Sequence, residues 1–262
     1  MLRRKRNPTR IMKLKTSLAA VVAMLLAGSI GLAQPQMSGG GPGGWNAAMT
    51  KLFGDVKAFS AKADMRVLDN ADKESMSMVM TFALLDGMVR MEIDLAQMKN
   101  AALPPGATAS LKQMGMDRLT TIVLPEKKAV YIIYPGLQAY VNMPMPEEEA
   151  AAAKKDFKIN KTEMGKEAID GHACVKNKVV MTDDKGEKHE VLVWEAADLK
   201  NFPLQMRMSD KGTNVVIRYK DVQFARPDTR QFEAPAGYAK HTDMTQLMQV
   251  AMQKMMNGAG KK

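Results

Sequence analysis

The stretch from Glu74 to Leu95 constrains this chain more than any other. Met76, Met78, Met80, Phe82 and Leu84 alternate with Ser75, Ser77, Val79, Thr81 and Ala83. Asp86-Gly87 follows, a dipeptide suited to the positive φ angles of a two-residue hairpin turn. Val89, Met91, Ile93 and Leu95 then alternate with Met88, Arg90, Glu92 and Asp94. With Leu85 and Met88 flanking the turn, the opposed pairs are Leu84–Val89, Phe82–Met91, Met80–Ile93 and Met78–Leu95, all apolar. The other face sets Ala83 against Arg90 and Thr81 against Glu92. A one-residue slip would turn every side chain to the opposite face, so register and buried face are specified together. The hairpin is greasy on one side and wet on the other.

The same period continues. Leu119–Leu124 and Ala129–Tyr134 flank Pro125–Lys128, and Gln138–Met143 continues past Pro135-Gly136. Ala173–Met181 and Lys188–Trp194 flank a turn at 183–186, which sets His189 near Val180. Leu204–Met208 and Thr213–Phe224 flank Ser209–Gly212, a register that brings Met206 to Val215 and Leu204 to Ile217. With Phe59–Leu68 and Lys161–Ile169 this makes about eleven strands, all connectable as antiparallel neighbours and none requiring a parallel crossover. Helices are few. Trp45, Ala48, Met49, Leu52 and Phe53 share one helical face, and Pro146–Lys155 has acids in its first turn and lysines in its last. Asn100–Met116 has room for a turn or two. Thr242 or Asp243 can cap a last helix striped by Met244, Leu247, Met248, Ala251, Met252 and Met255. The fold class is mainly β (α+β), a large antiparallel sheet with a few helices over its apolar side.

The chain has 262 residues, of which the first 33 read as a signal peptide: seven basic residues, then the apolar run Ser17–Ala33 with a small-residue exit before Pro35. Met12 also starts a complete leader. Leu25–Ser29 resembles a lipobox with Ser in place of the lipidated Cys, so the mature protein is expected to be unlipidated, not membrane-spanning and periplasmic. Residues 34–44 form a Gly-rich linker, and residues 241–262 a Met-rich amphipathic C-terminal helix. Setting aside the seven leader cations, 31 basic face 28 acidic residues. The formal charge of +10 is thus largely a property of the leader, and a nucleic-acid partner is not indicated.

His172 and Cys174, the single cysteine, stand two apart on one strand. That spacing is loosely compatible with a metal or catalytic pair, yet His189 and His241 fall too far away to complete a site. Glu147–Glu149 and Asp183-Asp184 occupy a helix start and a turn, where acids are common anyway. No nucleophile elbow or phosphate loop is present, and neither enzymatic activity nor a cofactor is expected. Methionine is the unusual component: 25 in all, with M-x-M pairs at 76/78/80, 114/116, 143/145 and 206/208. Thioethers suit a plain core, an apolar lining that adapts to varied ligands, Cu(I) binding, or sacrificial oxidation.

The hairpin "DG-x-x-R-x-E" at 86–92 and the runs "GKEAIDGHACVK" (165–176), "VWEAADLKNFPLQM" (193–206) and "FEAPAGY" (232–238) resemble the LolA/LolB-like superfamily of bacterial envelope proteins, a secreted branch of unknown function. The resemblance covers Trp45 to Tyr238 and implies a domain at 45–240. It also implies an incomplete barrel of about eleven strands whose concave apolar face is closed by helices. Arg90 falls on the polar face, so the lid role of an early-sheet arginine is not assigned to it. The expected function is non-catalytic binding of an apolar moiety: an acyl chain, a lipid or a lipoprotein. Met76, Met78, Met80, Phe82, Met91, Ile93, Met206 and Met208 are the expected lining. The alternatives are a structural or sensory envelope module that binds another protein, and a methionine-based copper-binding protein.

Overall fold

In the computed structural model the residues described are 47–259, apart from 101–102, 105, 155–156, 183–185, 187 and 211–212. The leader, the linker and Trp45 lie outside the described residues. The two-residue period becomes one sheet. Its strands are β1 (Ala58–Leu68), β2 (Glu74–Leu85), β3 (Met88–Asp94), β4 (Lys99–Asn100), β5 (Arg118–Leu124), β6 (Ala129–Tyr134), β7 (Ala139–Pro144), β8 (Lys158–Ile169), β9 (His172–Thr182), β10 (Lys188–Ala196), β11 (Phe202–Asp210), β12 (Thr213–Gln223) and β13 (Ala239–His241). Their order is β13-β7-β6-β5-β3-β2-β1-β12-β11-β10-β9-β8, with β4 pairing β2 beside this path. The sheet is open and does not close into a barrel. The helices are a 3-10 helix at Ala47–Phe53, α1 (Ala107–Met114), α2 (Glu147–Lys154) and α3 (Met244–Ala259).

The eleven long strands are those read from the sequence. The β2–β3 register is also as read, with Leu84 opposite Val89, Phe82 opposite Met91 and Met80 opposite Ile93. Met78 does not reach Leu95, because Asp94 ends the strand: its carboxylate accepts from the Ala96 amide and caps a 3-10 turn. Asp86 and Gly87 take φ 49° and 85°, and Asp170-Gly171 repeats the device between β8 and β9 with φ 49° and 87°.

Elsewhere the structure corrects the register. β11 and β12 pair Met206 with Ile217 and Met208 with Val215, because the pairing continues to Asp210 opposite Thr213. Ser209 stays in the strand and donates to Asn214 Oδ1 at 2.6 Å. The shift is two residues, so the buried face is unchanged. His189 faces Met181 rather than Val180, since Lys188 is the residue paired with Thr182.

β13 is the larger surprise, because it pairs with β7 in parallel. To reach it, residues 225–238 cross the outer face of the sheet. Arg226 pairs with Asp86, Arg90 Nη1 donates to the Gln231 carbonyl at 2.7 Å, and Phe232 buries against Ala83, Leu85, Ile122, Leu124 and Ile133. The wet face of the hairpin is therefore dry at its turn end.

On the inner face Met49, Leu52 and Phe53 of the 3-10 helix pack into the main core, and α2 adds Ala150. Phe53 lies 4.7 Å from Phe59 and stacks with Phe202 at 5.6 Å, with Phe82 and Tyr219 completing the group. A second core joins α1 and α3 to β6 and β7 through Leu111, Met114, Met116, Tyr134, Ala139, Val141, Leu247 and Ala251. Asp243, not Thr242, caps α3 by accepting from the Gln246 amide. Met252, placed on the apolar stripe by spacing, is half exposed.

Candidate functional site

The expected lining residues sit on the inner face of β2, β3 and β11. Met78, Met80, Phe82, Met91, Ile93, Met206 and Met208 are buried in the main core, and Met76 is partly buried against it. Among the other methionine pairs, Met114 and Met116 are buried in the second core, while Met143 is exposed and Met145 buried.

The open space lies beside them. Two adjoining hollows of about 530 and 400 Å³ run between the 3-10 helix and the inner face of β8–β10. Their volumes fall in the range of about 300–1,000 Å³ typical of small-ligand sites. Both are lined by Leu52, Gly54, Lys161 and Glu195. The first also takes in Phe53, Val56, Lys200 and Phe224, the second Ile159, Val179 and Val193. Leu52, Phe53, Val179 and Val193 belong at once to this groove and to the main core, so the groove wall and the methionine-rich interior are one surface.

Into that apolar wall three adjacent strands place polar groups. Glu195 of β10 accepts from Lys161 Nζ of β8 at 2.5 Å and from Asn177 Nδ2 of β9 at 2.8 Å. Asn177 is buried and the Glu195 side chain is only 13% exposed. Burying a carboxylate is costly unless it is paired and hydrogen-bonded, and both conditions are met here. Lys200 follows the 3-10 turn Ala197–Leu199 at φ 58°, and its ammonium lies 5.0 Å from the centre of the Phe224 ring.

Sequence reasoning passed over this trio. The available signal is an interrupted stripe: Glu195 continues Val191 and Val193, and Asn177 continues Met181 and Val179. Seeing the three together requires the β8–β9–β10 register, including the β-bulge between Glu163 and Gly165.

The His172 and Cys174 side chains turn to different partners. Burial pushes the Cys174 thiol up from its usual range, and the nearby carboxylates of Asp198, Glu167 and Asp170 push the same way. Its Sγ donates weakly to the His172 carbonyl at 3.5 Å. The His172 ring instead meets Asp198 at 2.7 Å and ties β9 to the turn after β10, holding the Asp198 carboxyl below its usual range. Among the described residues no group of three His, Cys, Asp or Glu side chains is placed to hold a metal ion, and no helix is long and apolar enough to cross a membrane.

The family described as "Domain of unknown function (DUF4412)" matches residues 63–202, from within β1 to the first residue of β11 and more than half of the chain. The chain belongs to this family. No curated protein matches it. Among solved structures it is similar to a DUF1329 family protein from Desulfovibrio piger, at 12% identity and a TM-score of 0.33, over 71% of this chain and 94% of that one. It is similar to the lipoprotein LppX of Mycobacterium tuberculosis, at 11% identity and a TM-score of 0.36, over 67% and 91% of the two chains. It is also similar to a LolA superfamily protein from Nitrosomonas europaea, at 11% identity and a TM-score of 0.32, over 72% and 98%. Likeness at this level says nothing of what the chain binds.

Proposed function

We propose that this protein is a non-catalytic periplasmic binding protein, exported by its leader, that takes an apolar moiety such as an acyl chain against the inner face of its open sheet. The observation that carries this reading is the groove beneath the 3-10 helix, which shares Leu52, Phe53, Val179 and Val193 with the main core. Met76, Met78, Met80, Phe82, Met91, Ile93, Met206 and Met208 are the proposed deeper lining. Unbranched thioether side chains repack at low cost, so a chain entering the groove can push between them. The occupied Cys174 and His172 side chains support a binding rather than a chemical role.

Native mass spectrometry of the protein purified from its own cell envelope tests the proposal. A stoichiometric lipid or acyl mass is expected, released on denaturation. Protein that carries none, and takes up none when delipidated and offered long-chain amphiphiles, would sink it.

A second reading, an envelope module that binds another protein, is favoured by β8. This twelve-residue strand has β9 as its neighbour on one side, forms the edge of the sheet and is exposed along nearly its whole length. An extended segment can add to such an edge through main-chain hydrogen bonds. Crosslinking through a probe at Met164 in the native envelope would then recover one defined partner with no lipid bound.

A further inference from the structure

A groove meant for hydrocarbon alone has no use for charge, yet this one is lined by Lys51, Lys57, Lys161 and Lys200 against Asp55 and Glu195. The excess is positive. Two of those lysines are held in place. Lys161 is anchored on Glu195, and Lys200 is carried at a corner over the Phe224 ring. The inner wall next to them is apolar, made by Leu52, Ile159, Val179 and Val193. Cations beside a hydrocarbon wall match an anionic head joined to an apolar tail.

Resting on the binding reading above, we propose that the groove takes a single-chain anionic amphiphile, a long-chain fatty acid. Its carboxylate sits at Lys161 and Lys200, and its chain runs along Leu52, Ile159, Val179 and Val193 toward the methionines. Each hollow, of about 530 or 400 Å³, is of a size to take one chain. Glu195 holds Lys161 in position while the groove is empty. When a carboxylate arrives, Lys161 bridges it and Glu195 with separate N–H donors, and Glu195 keeps its hydrogen bond from Asn177.

The test uses the full chain, stripped of bound lipid, titrated with palmitate, hexadecanol and hexadecyltrimethylammonium. A charge-assisted hydrogen bond is worth about 1.5–3 kcal/mol, so palmitate is expected to bind at least about tenfold more tightly than the alcohol, and the cationic amphiphile least well. Lys161→Gln with Lys200→Asn, the latter tolerating the left-handed backbone at 200, should erase the preference by weakening palmitate far more than hexadecanol. Glu195→Gln keeps the hydrogen-bonding geometry but frees Lys161. It should strengthen palmitate binding alone, a response that a purely structural role for the trio does not give. Equal affinity for palmitate and hexadecanol, or variants that weaken both in parallel, overturns the anionic-head assignment while leaving apolar binding in place. If none of the three amphiphiles binds, both readings fall.

Discussion

Two stretches of one sheet face the same interior and are built differently. Over β1, β2, β11 and β12 the inward side chains are uninterrupted: Phe59, Met65, Met78, Met80, Phe82, Met206, Ile217 and Tyr219 are all buried and packed against Phe53 or one another. On β8–β10 the inward stripe is broken by Lys161, Asn177 and Glu195, and space opens. The difference teaches where a half-barrel can take a ligand. A continuous apolar stripe closes on itself, whereas a polar interruption, once its hydrogen bonds are satisfied, resists collapse and keeps a wall from being covered.

The contrast is broken or sharpened most strongly by truncation. Phe82→Ala removes a ring from the filled region and is expected to cost about 3–5 kcal/mol in urea unfolding. Ile159→Ala on the open wall, more than a third exposed, should cost less than about 1 kcal/mol. Equal losses would mean that the two regions are packed alike.

A smaller effect tests how dry the filled region is. The Tyr219 hydroxyl is fully buried with no hydrogen-bond partner among the described residues, and burial pushes its ionisation far up. Tyr219→Phe removes an unsatisfied group and is expected to raise stability by about 1 kcal/mol, read from the urea midpoint at constant slope. A loss of stability instead would place water inside.

Chemical labelling probes the same contrast without mutation. Under dilute peroxide, peptide mapping should find Met164 of β8, 57% exposed, oxidised well before Met78, Met80 and Met206. Cys174 should react slowly with iodoacetamide between pH 7 and 8, because its raised thiol stays protonated there, and quickly once urea unfolds the chain. Fast alkylation of the folded protein would show that the start of β9 opens readily.

Much of the filled region was legible in the sequence because a strict two-residue alternation flanked an Asp-Gly turn, which leaves a single register. The β11–β12 register was less so: Ser209–Gly212 looks like a four-residue turn, and only the Ser209–Asn214 hydrogen bond shows that two of those residues remain in the strands. The parallel β13 could not be read, since three residues carry no alternation and its position depends on Phe232 finding an apolar patch on the far side of the sheet. The polar trio was hidden for a related reason. Each member is an ordinary polar residue on its own strand, and only the cross-strand register, with its bulge, brings them together.

The strand order has a consequence in time. β1 lies in the middle of the sheet, between β2 and β12, so it joins a half made by β2–β7 to a half made by β8–β12. A chain growing from its N-terminus can complete β1–β7 early, but the eleven-residue flank of β1 stays unpaired until β12 appears more than half a chain later. For that interval the nascent protein presents a bare strand edge carrying Phe59, Ala61, Ala63 and Met65, which invites pairing with other chains. Closure of the β1–β12 seam is therefore expected to be the slow, aggregation-exposed step of its biogenesis, and the step at which a chaperone would act to most effect.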